Sequence, residues 1–142
     1  YKAIVDLHQK GYIVSDPLTE HAPFDLIIWK DGESKTVQVK YRSKDSSGKV
    51  EVHFRATQWN TNGSYNKKID TDPIDLYCVY CPEKDGCYYF NPDNFGESVA
   101  LRIDKPKNNQ TKGINFAENY KSGFRRDYTC RTLNGEDVVQ TT

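Results

Sequence analysis

Apolar residues recur along the chain at two spacings, and each spacing picks out elements. In YKAIVDLHQK, the residues Ala3, Ile4, Leu7 and His8 fall on one face of a helix, which Gly11 stops. YIVS (12–15) is a short strand. After a loop from Asp16 to Pro23 come DLIIWK and KTVQVKYR, two strands joined around Asp31-Gly32, a dipeptide suited to a tight hairpin turn. KVEVHF (49–54) alternates Val50, Val52 and Phe54 with Glu51 and His53, and extends the hairpin into a meander. Residues 57–73, TQWNTNGSYNKKIDTDP, show no apolar period and are expected to be a long loop. DLYCVYC and CYYFNP predict a second hairpin around Glu83 to Gly86, SVALRI (98–103) a further strand, KPKNNQTKG a polar loop and INFAENYKS a short helix. The expected fold is a single domain over 1–142, α/β at the border of α+β, with a mixed, mostly antiparallel central sheet and flanking helices. Its first helix is already under way at Tyr1, which implies an N-terminal truncation.

Composition supports a folded chain: 28% of residues are charged, yet ten Tyr, six Phe and two Trp exceed what a disordered segment carries. No run of about eighteen apolar residues occurs, so no membrane span is expected. The net charge of zero hides an uneven pattern. Lys35 to Lys68 carries +6 and Arg102 to Arg131 carries +5, leaving −11 on the rest. Two basic tracts on an otherwise acidic body suit a polyanion-binding face, although solvated surface produces the same statistics.

The four cysteines invite a zinc reading that their spacing resists. Cys78 and Cys81 stand three apart on an expected strand and so point to opposite faces. Free thiols in a reducing cytoplasm are the expectation.

The chemistry concentrates in the first hairpin. With a two-residue Asp31-Gly32 turn, Lys30 opposes Glu33, Ile28 opposes Lys35, Leu26 opposes Val37 and Asp25 opposes Gln38, with Lys40 two residues farther on the same face. A four-residue loop would instead oppose Asp25 to Lys40. In either register an acid, an amide and an amine converge, while Leu26, Ile28, Val37, Val39 and Tyr41 form an apolar opposite face. A cross-strand ion pair beside an amide is the plainer reading of such a cluster. Against it stands the joint placement of Asp25 directly after Pro23-Phe24 and of Gln38-Val39-Lys40 before basic Arg42 and Lys44.

Pro23-Phe24-Asp25, a hairpin and then Gln38-Val39-Lys40 resemble the PD-(D/E)XK nuclease motif, in the variant where Gln replaces the second acid. GYIVSDPLTEHAPFDLIIWKDG and VQVKYRS are similar, more closely still, to the cyanobacterial group I intron-encoded homing endonuclease type of this superfamily, over roughly the first half of the chain. The resemblance implies a restriction-endonuclease-like core and a metal-dependent DNA endonuclease, cytoplasmic and bacterial. It implies Asp25 as central Mg²⁺ ligand, the Val39 carbonyl as a further ligand, and Lys40 as the group that orients water and offsets charge on the scissile phosphate. Gln38 contributes an amide oxygen without charge. A helix Glu often assists in this superfamily, and Asp6 is the possible substitute here.

Grip on double-stranded DNA is expected from Arg42, Lys44, Lys49, Arg55, Lys67, Lys68, Lys105 and Lys107 on phosphates, with Gln58 and Asn60 able to read bases. Trp59 and Tyr65 either stack on bases or pack locally. One site cuts one strand, so a homo-oligomer, a dimer or a dimer of dimers, is expected. The alternatives are a Holliday-junction resolvase or repair nuclease on the same core, and a catalytically inactive DNA-binding module for which Gln38 is the argument.

Overall fold

The structure, a computed structural model, describes residues 1–68, 73–106, 112–122, 129–131 and 137–139; for 55–60, 64–68 and the last two segments only the backbone course is described. Helix α1 (Lys2–Gln9) is followed by strands β1 (Ile13–Ser15), β2 (Leu26–Lys30) and β3 (Glu33–Tyr41). Then come β4 (Lys49–His53), β5 (Arg55–Asn60), β6 (Gly63–Lys68), β7 (Leu76–Cys81), β8 (Gly86–Phe90) and β9 (Ser98–Arg102), with a short β10 (Thr129–Arg131) and β11 (Asp137–Val139) pair at the end. The central sheet has the order β1-β2-β3-β7-β8, and only its β3–β7 pair is parallel.

Asp31 and Gly32 both take positive φ, 52° and 81°, which is the type I′ turn their sequence calls for. The register follows as expected: Lys30 opposes Glu33, Ile28 opposes Lys35 and Leu26 opposes Val37. Helix α1 covers one face of the sheet, where Ala3 and Leu7 pack with Leu26, Ile28, Val37, Leu76, Cys78 and Tyr89. Ile4 and His8, expected on that face, stay exposed. Gly11 ends the helix at φ +89°, and Lys30 Nζ donates to the Lys10 carbonyl at 2.9 Å, placing a cation at the helix C-terminus.

The meander does not form. β4 leaves the central sheet and pairs with β9 as a separate ribbon, Lys49 opposite Arg102 through His53 opposite Ser98. Its place beside β3 goes to β7, whose LYCVYC is buried on both faces except at Tyr80. A strand apolar on both sides suits a central position, whereas the one-sided alternation of β4 suits a covering layer. Val50, Val52 and Phe54 with Val99 and Leu101 pack onto Tyr77, Val79, Cys81, Tyr88 and Phe90 of the central sheet. The molecule is thus layered as helix, five-stranded sheet and ribbon.

Residues 57–73 are also not a plain loop. β5 and β6 form a hairpin with Arg55 opposite Lys68, Gln58 opposite Tyr65 and Asn60 opposite Gly63. Neither strand has an apolar alternation, so periodicity carries no trace of it. The second hairpin forms as expected between β7 and β8, and INFAENYKS yields only a 3-10 turn at Ala117–Tyr120. Cys78 and Cys81 join the cores on opposite sides of the sheet, and Cys78, Cys81 and Cys87 are free thiols. Among the described residues no helix is long and apolar enough to cross a membrane.

Burial and hydrogen bonding hold several phenols neutral. Burial raises the pKa of Tyr77 and Tyr88; burial, with Asp6 accepting from its hydroxyl, raises that of Tyr89 strongly; and donation to Asp85 pushes Tyr80 up to about 12. Because these folded-state values lie above the unfolded value of about 10, the stability they contribute is complete below that pH and is lost as pH rises toward them. In a 295 nm titration, four of the ten tyrosines should therefore ionise later in the native than in the denatured protein. Coincident curves would contradict this.

Candidate active site

Strand β3 is the axis of the site, and the point at which its neighbours change sets the geometry. Pairing with β2 ends at Leu26–Val37, and pairing with β7 begins at Val37–Leu76. From Gln38 to Tyr41, β3 is therefore paired along its β7 edge, while its β2 edge has run out of ladder partners. An aspartate caps each edge. On the β2 side the Asp25 amide donates to the Val37 carbonyl at 3.0 Å, and Asp25 Oδ2 accepts the Val39 amide at 2.8 Å. On the β7 side Asp75 Oδ2 accepts the Thr36 amide at 2.9 Å, and the Thr36 hydroxyl donates to the Pro73 carbonyl at 2.6 Å.

The two aspartates share a local sequence, Pro23-Phe24-Asp25-Leu26 and Pro73-Ile74-Asp75-Leu76, each opening a strand. Asp75 escaped the reading of the sequence, although this repeat was the signal that pointed to it. Truncating Asp75 leaves the Thr36 amide without its acceptor, so Asp75→Ala should cost about 1–2 kcal/mol in urea denaturation. An unchanged midpoint would show that water replaces the carboxylate.

Asp25 is exposed, and its carboxylate meets β3 at Val39, the residue between Gln38 and Lys40. The Val39 carbonyl lies on the same edge as its amide and so faces the Asp25 side. Gln38 and Lys40 pair with Tyr77 and Val79, which puts them on the ribbon-covered face, half-buried where the apolar cover thins. Neither side chain makes a hydrogen bond or ion pair among the described residues, and Asp25 Oδ1 is likewise unengaged there. The expected apolar face is present at Leu26, Ile28 and Val37, weaker at Val39, and lost at Tyr41, which is 62% exposed.

Asp6 does not join this group. Lys10 pairs with it at 2.8 Å and the Tyr89 hydroxyl donates to it, on the β8 side of the sheet, with β3 and β7 between it and the strand that follows Asp25.

A model of the PD-(D/E)XK endonuclease family matches residues 1–123. The chain belongs to that family. Its fold matches the solved structure of a bacterial homing endonuclease, I-Ssp6803I, with a TM-score of 0.68 and 23% identity over 84% of this chain and 80% of that one. No curated protein matches the chain. Membership makes it a nuclease of the PD-(D/E)XK type, with the restriction-endonuclease-like mixed sheet and flanking helix described above, and nucleases of this type use divalent metal ions.

The donors at this site fit such an ion. Asp25 Oδ1, the Val39 carbonyl and the Gln38 amide are hard oxygen donors of the kind such an ion takes, and Asp25 is bonded to the residue next to Gln38. Among the described residues no group of three or more His, Cys, Asp or Glu side chains is placed to hold a metal. A single carboxylate supplemented by substrate phosphate is a common arrangement for Mg²⁺.

The basic residues expected to grip DNA are scattered among several fates. Arg42 is exposed and bonds the Tyr41 carbonyl; Lys44 pairs with Asp104 at 3.1 Å; Lys49 stands opposite Arg102; Lys105 is exposed. Arg55, Gln58, Asn60, Lys67 and Lys68 lie on the β5–β6 hairpin. Lys107 lies outside the described residues.

Proposed function

We propose that the chain is a site-specific homing endonuclease that makes Mg²⁺-dependent double-strand breaks in DNA by phosphodiester hydrolysis. The observation that carries this reading is the Asp25 carboxylate on the Val39 amide, which sets an acid beside Gln38-Val39-Lys40 where β3 loses its β2 partner. Asp25 Oδ1, the Val39 carbonyl and the Gln38 amide oxygen would hold Mg²⁺, which when bound supplies positive charge against the negative charge developing on the scissile phosphate.

Asp25 Oδ2, tied to the Val39 amide, orients the carboxylate without consuming its second oxygen. Lys40 Nζ holds the attacking water by donating a hydrogen bond to it, and donates to a non-bridging phosphate oxygen as charge builds there. Gln38 accepts or donates through an uncharged amide, so Asp25 supplies the only formal negative charge of this donor set. The fold of the homing endonuclease I-Ssp6803I supports the assignment to site-specific cleavage. The β5–β6 hairpin, with Arg55, Gln58, Asn60, Lys67 and Lys68, is a two-stranded ribbon of the kind that enters a major groove. The whole of 1–142 acts as one domain, and two strands require two sites, hence a symmetric dimer or a dimer of dimers on a near-palindromic target.

Purified protein should cut an intron-lacking linear duplex at one mapped position in Mg²⁺ and sediment as an oligomer. Preferential cutting of four-way junctions irrespective of sequence would replace the homing reading with a junction resolvase. An active monomer would overturn the assembly.

A further inference from the structure

The β4–β9 ribbon has an outer face that the catalytic reading leaves unused. Val50, Val52, Val99 and Leu101 turn inward, so Lys49, Glu51, His53, Ser98, Ala100 and Arg102 turn outward. Lys49 and Arg102 are direct cross-strand partners. The Ile103 amide donates to the Gly48 carbonyl at 2.9 Å, while the Arg102 amide turns away from β4 to the Asn115 carbonyl at 2.7 Å. Lys49–Arg102 is therefore the non-hydrogen-bonded type of pair, in which facing side chains approach most closely.

Like charges directly opposite one another destabilise a ladder. Here no acid is paired with either cation among the described residues. Glu51 is bonded to His53 at 3.2 Å and Asp104 to Lys44 at 3.1 Å. Asp45, whose charge Lys49 also favours, has its Oδ1 taken by the Ser47 amide and hydroxyl and the Lys49 amide. Among the described residues the Arg102 guanidinium spends only Nε, on the Asp104 carbonyl at 2.8 Å. Both side chains are half-buried and line a groove of about 350 Å³, walled on the far side of β9 by Gly113, Ile114 and Asn115.

We infer that this groove is a phosphodiester-binding subsite for the DNA backbone away from the scissile bond, with Lys49 Nζ and the Arg102 terminal guanidinium nitrogens donating to non-bridging oxygens. A bound anion converts an unfavourable cation pair into a clamp, and the arginine fork matches phosphate geometry. The placement suits a duplex that also reaches the catalytic strand. Gly48 takes φ +82° with Asp104 packed where a side chain would go, and Lys44 holds Asp104, which ties this end of the ribbon to the end of β3 that carries Lys40. The inference rests on the nuclease reading above.

The test measures duplex affinity of the full chain in Ca²⁺ across a salt series, for wild type, Lys49→Gln, Lys49→Gln/Arg102→Gln and, as a control on the β7–β8 turn, Lys84→Gln. The double variant should bind about tenfold more weakly at low salt, with the slope of log affinity against log salt reduced by about one. Lys49→Gln should move the same way by less and melt no lower than wild type, because it removes like-charge repulsion without touching backbone bonds. Unchanged slope and affinity in both variants would overturn the subsite. Arg102 Nε–H NMR shifts distinguish the sources: movement with a short duplex supports the proposal, whereas movement with inorganic phosphate alone makes this a free-anion site and overturns it. A chain that cuts DNA without these responses loses only the subsite; one that shows them and never cuts loses the nuclease reading.

Discussion

Asp25→Asn should lower single-turnover cleavage of duplex DNA by about 10³-fold or more while leaving duplex binding in place, the scale expected when a preorganised charge at a reacting phosphate is lost. Asparagine is the informative replacement because its side-chain oxygen still accepts the Val39 amide that Asp25 Oδ2 accepts at 2.8 Å. The strand end therefore stays capped, and the loss reports charge and metal holding. Asp25→Ala removes both, and should add a stability cost of about 1–2 kcal/mol from the uncapped amide. If Asp25→Asn cuts at the wild-type rate, the carboxylate is a strand cap and the catalytic centre lies elsewhere.

Lys40→Ala carries the second large effect, a fall of about 10²–10³-fold in the cleavage rate with the Mg²⁺ requirement unchanged. The Lys40 side chain makes no hydrogen bond or ion pair among the described residues that its removal would break, so stability should hold within about 0.5 kcal/mol. That split between rate and stability separates a catalytic amine from a structural one. Lys40→Arg should recover little, since a planar, more weakly hydrated guanidinium does not substitute for a point charge on a water molecule. Full activity in Lys40→Arg would reduce the role to generic positive charge, read from rate constants at saturating DNA.

The hairpin was legible in the sequence because its determinants are local. Asp31-Gly32 sets the turn, the turn sets the register, and the register carries Asp25 to the Gln38-Val39-Lys40 stretch. The β7–β8 hairpin and β9 were visible for the same reason: a short apolar run bounded by turn residues needs no distant information. What the chain concealed was pairing at long range. Nothing within KVEVHF says that its partner is SVALRI rather than the preceding strand; that choice falls to β7, which is apolar enough on both faces to take the position beside β3. The β5–β6 hairpin was concealed because its sequence has no apolar alternation and so leaves no period to detect.

At the candidate site, the approach of Asp25 to Gln38-Val39-Lys40 was readable and the precise contact was not. Sequence opposes Asp25 to Gln38, yet the carboxylate reaches one residue farther, to the Val39 amide, because β2 ends at Leu26 and leaves that amide without a ladder partner. Asp75 was overlooked for a related reason: a carboxylate that caps a parallel neighbour becomes visible only once β7 is known to lie beside β3. The charge of Lys49 is plain in the sequence, but only the β4–β9 register reveals Arg102 facing it.

The proposed site, with a single formal carboxylate, would draw the rest of its ion affinity from the substrate phosphate. The most direct measurement is cleavage of an end-labelled linear duplex by the wild-type chain as Mg²⁺ is titrated from EDTA to millimolar concentrations. Cutting should be absent in EDTA and rise with Mg²⁺, with products ending in 5′-phosphate and 3′-hydroxyl at a single mapped site. Equal cutting in EDTA, or none at any Mg²⁺ concentration, would contradict it.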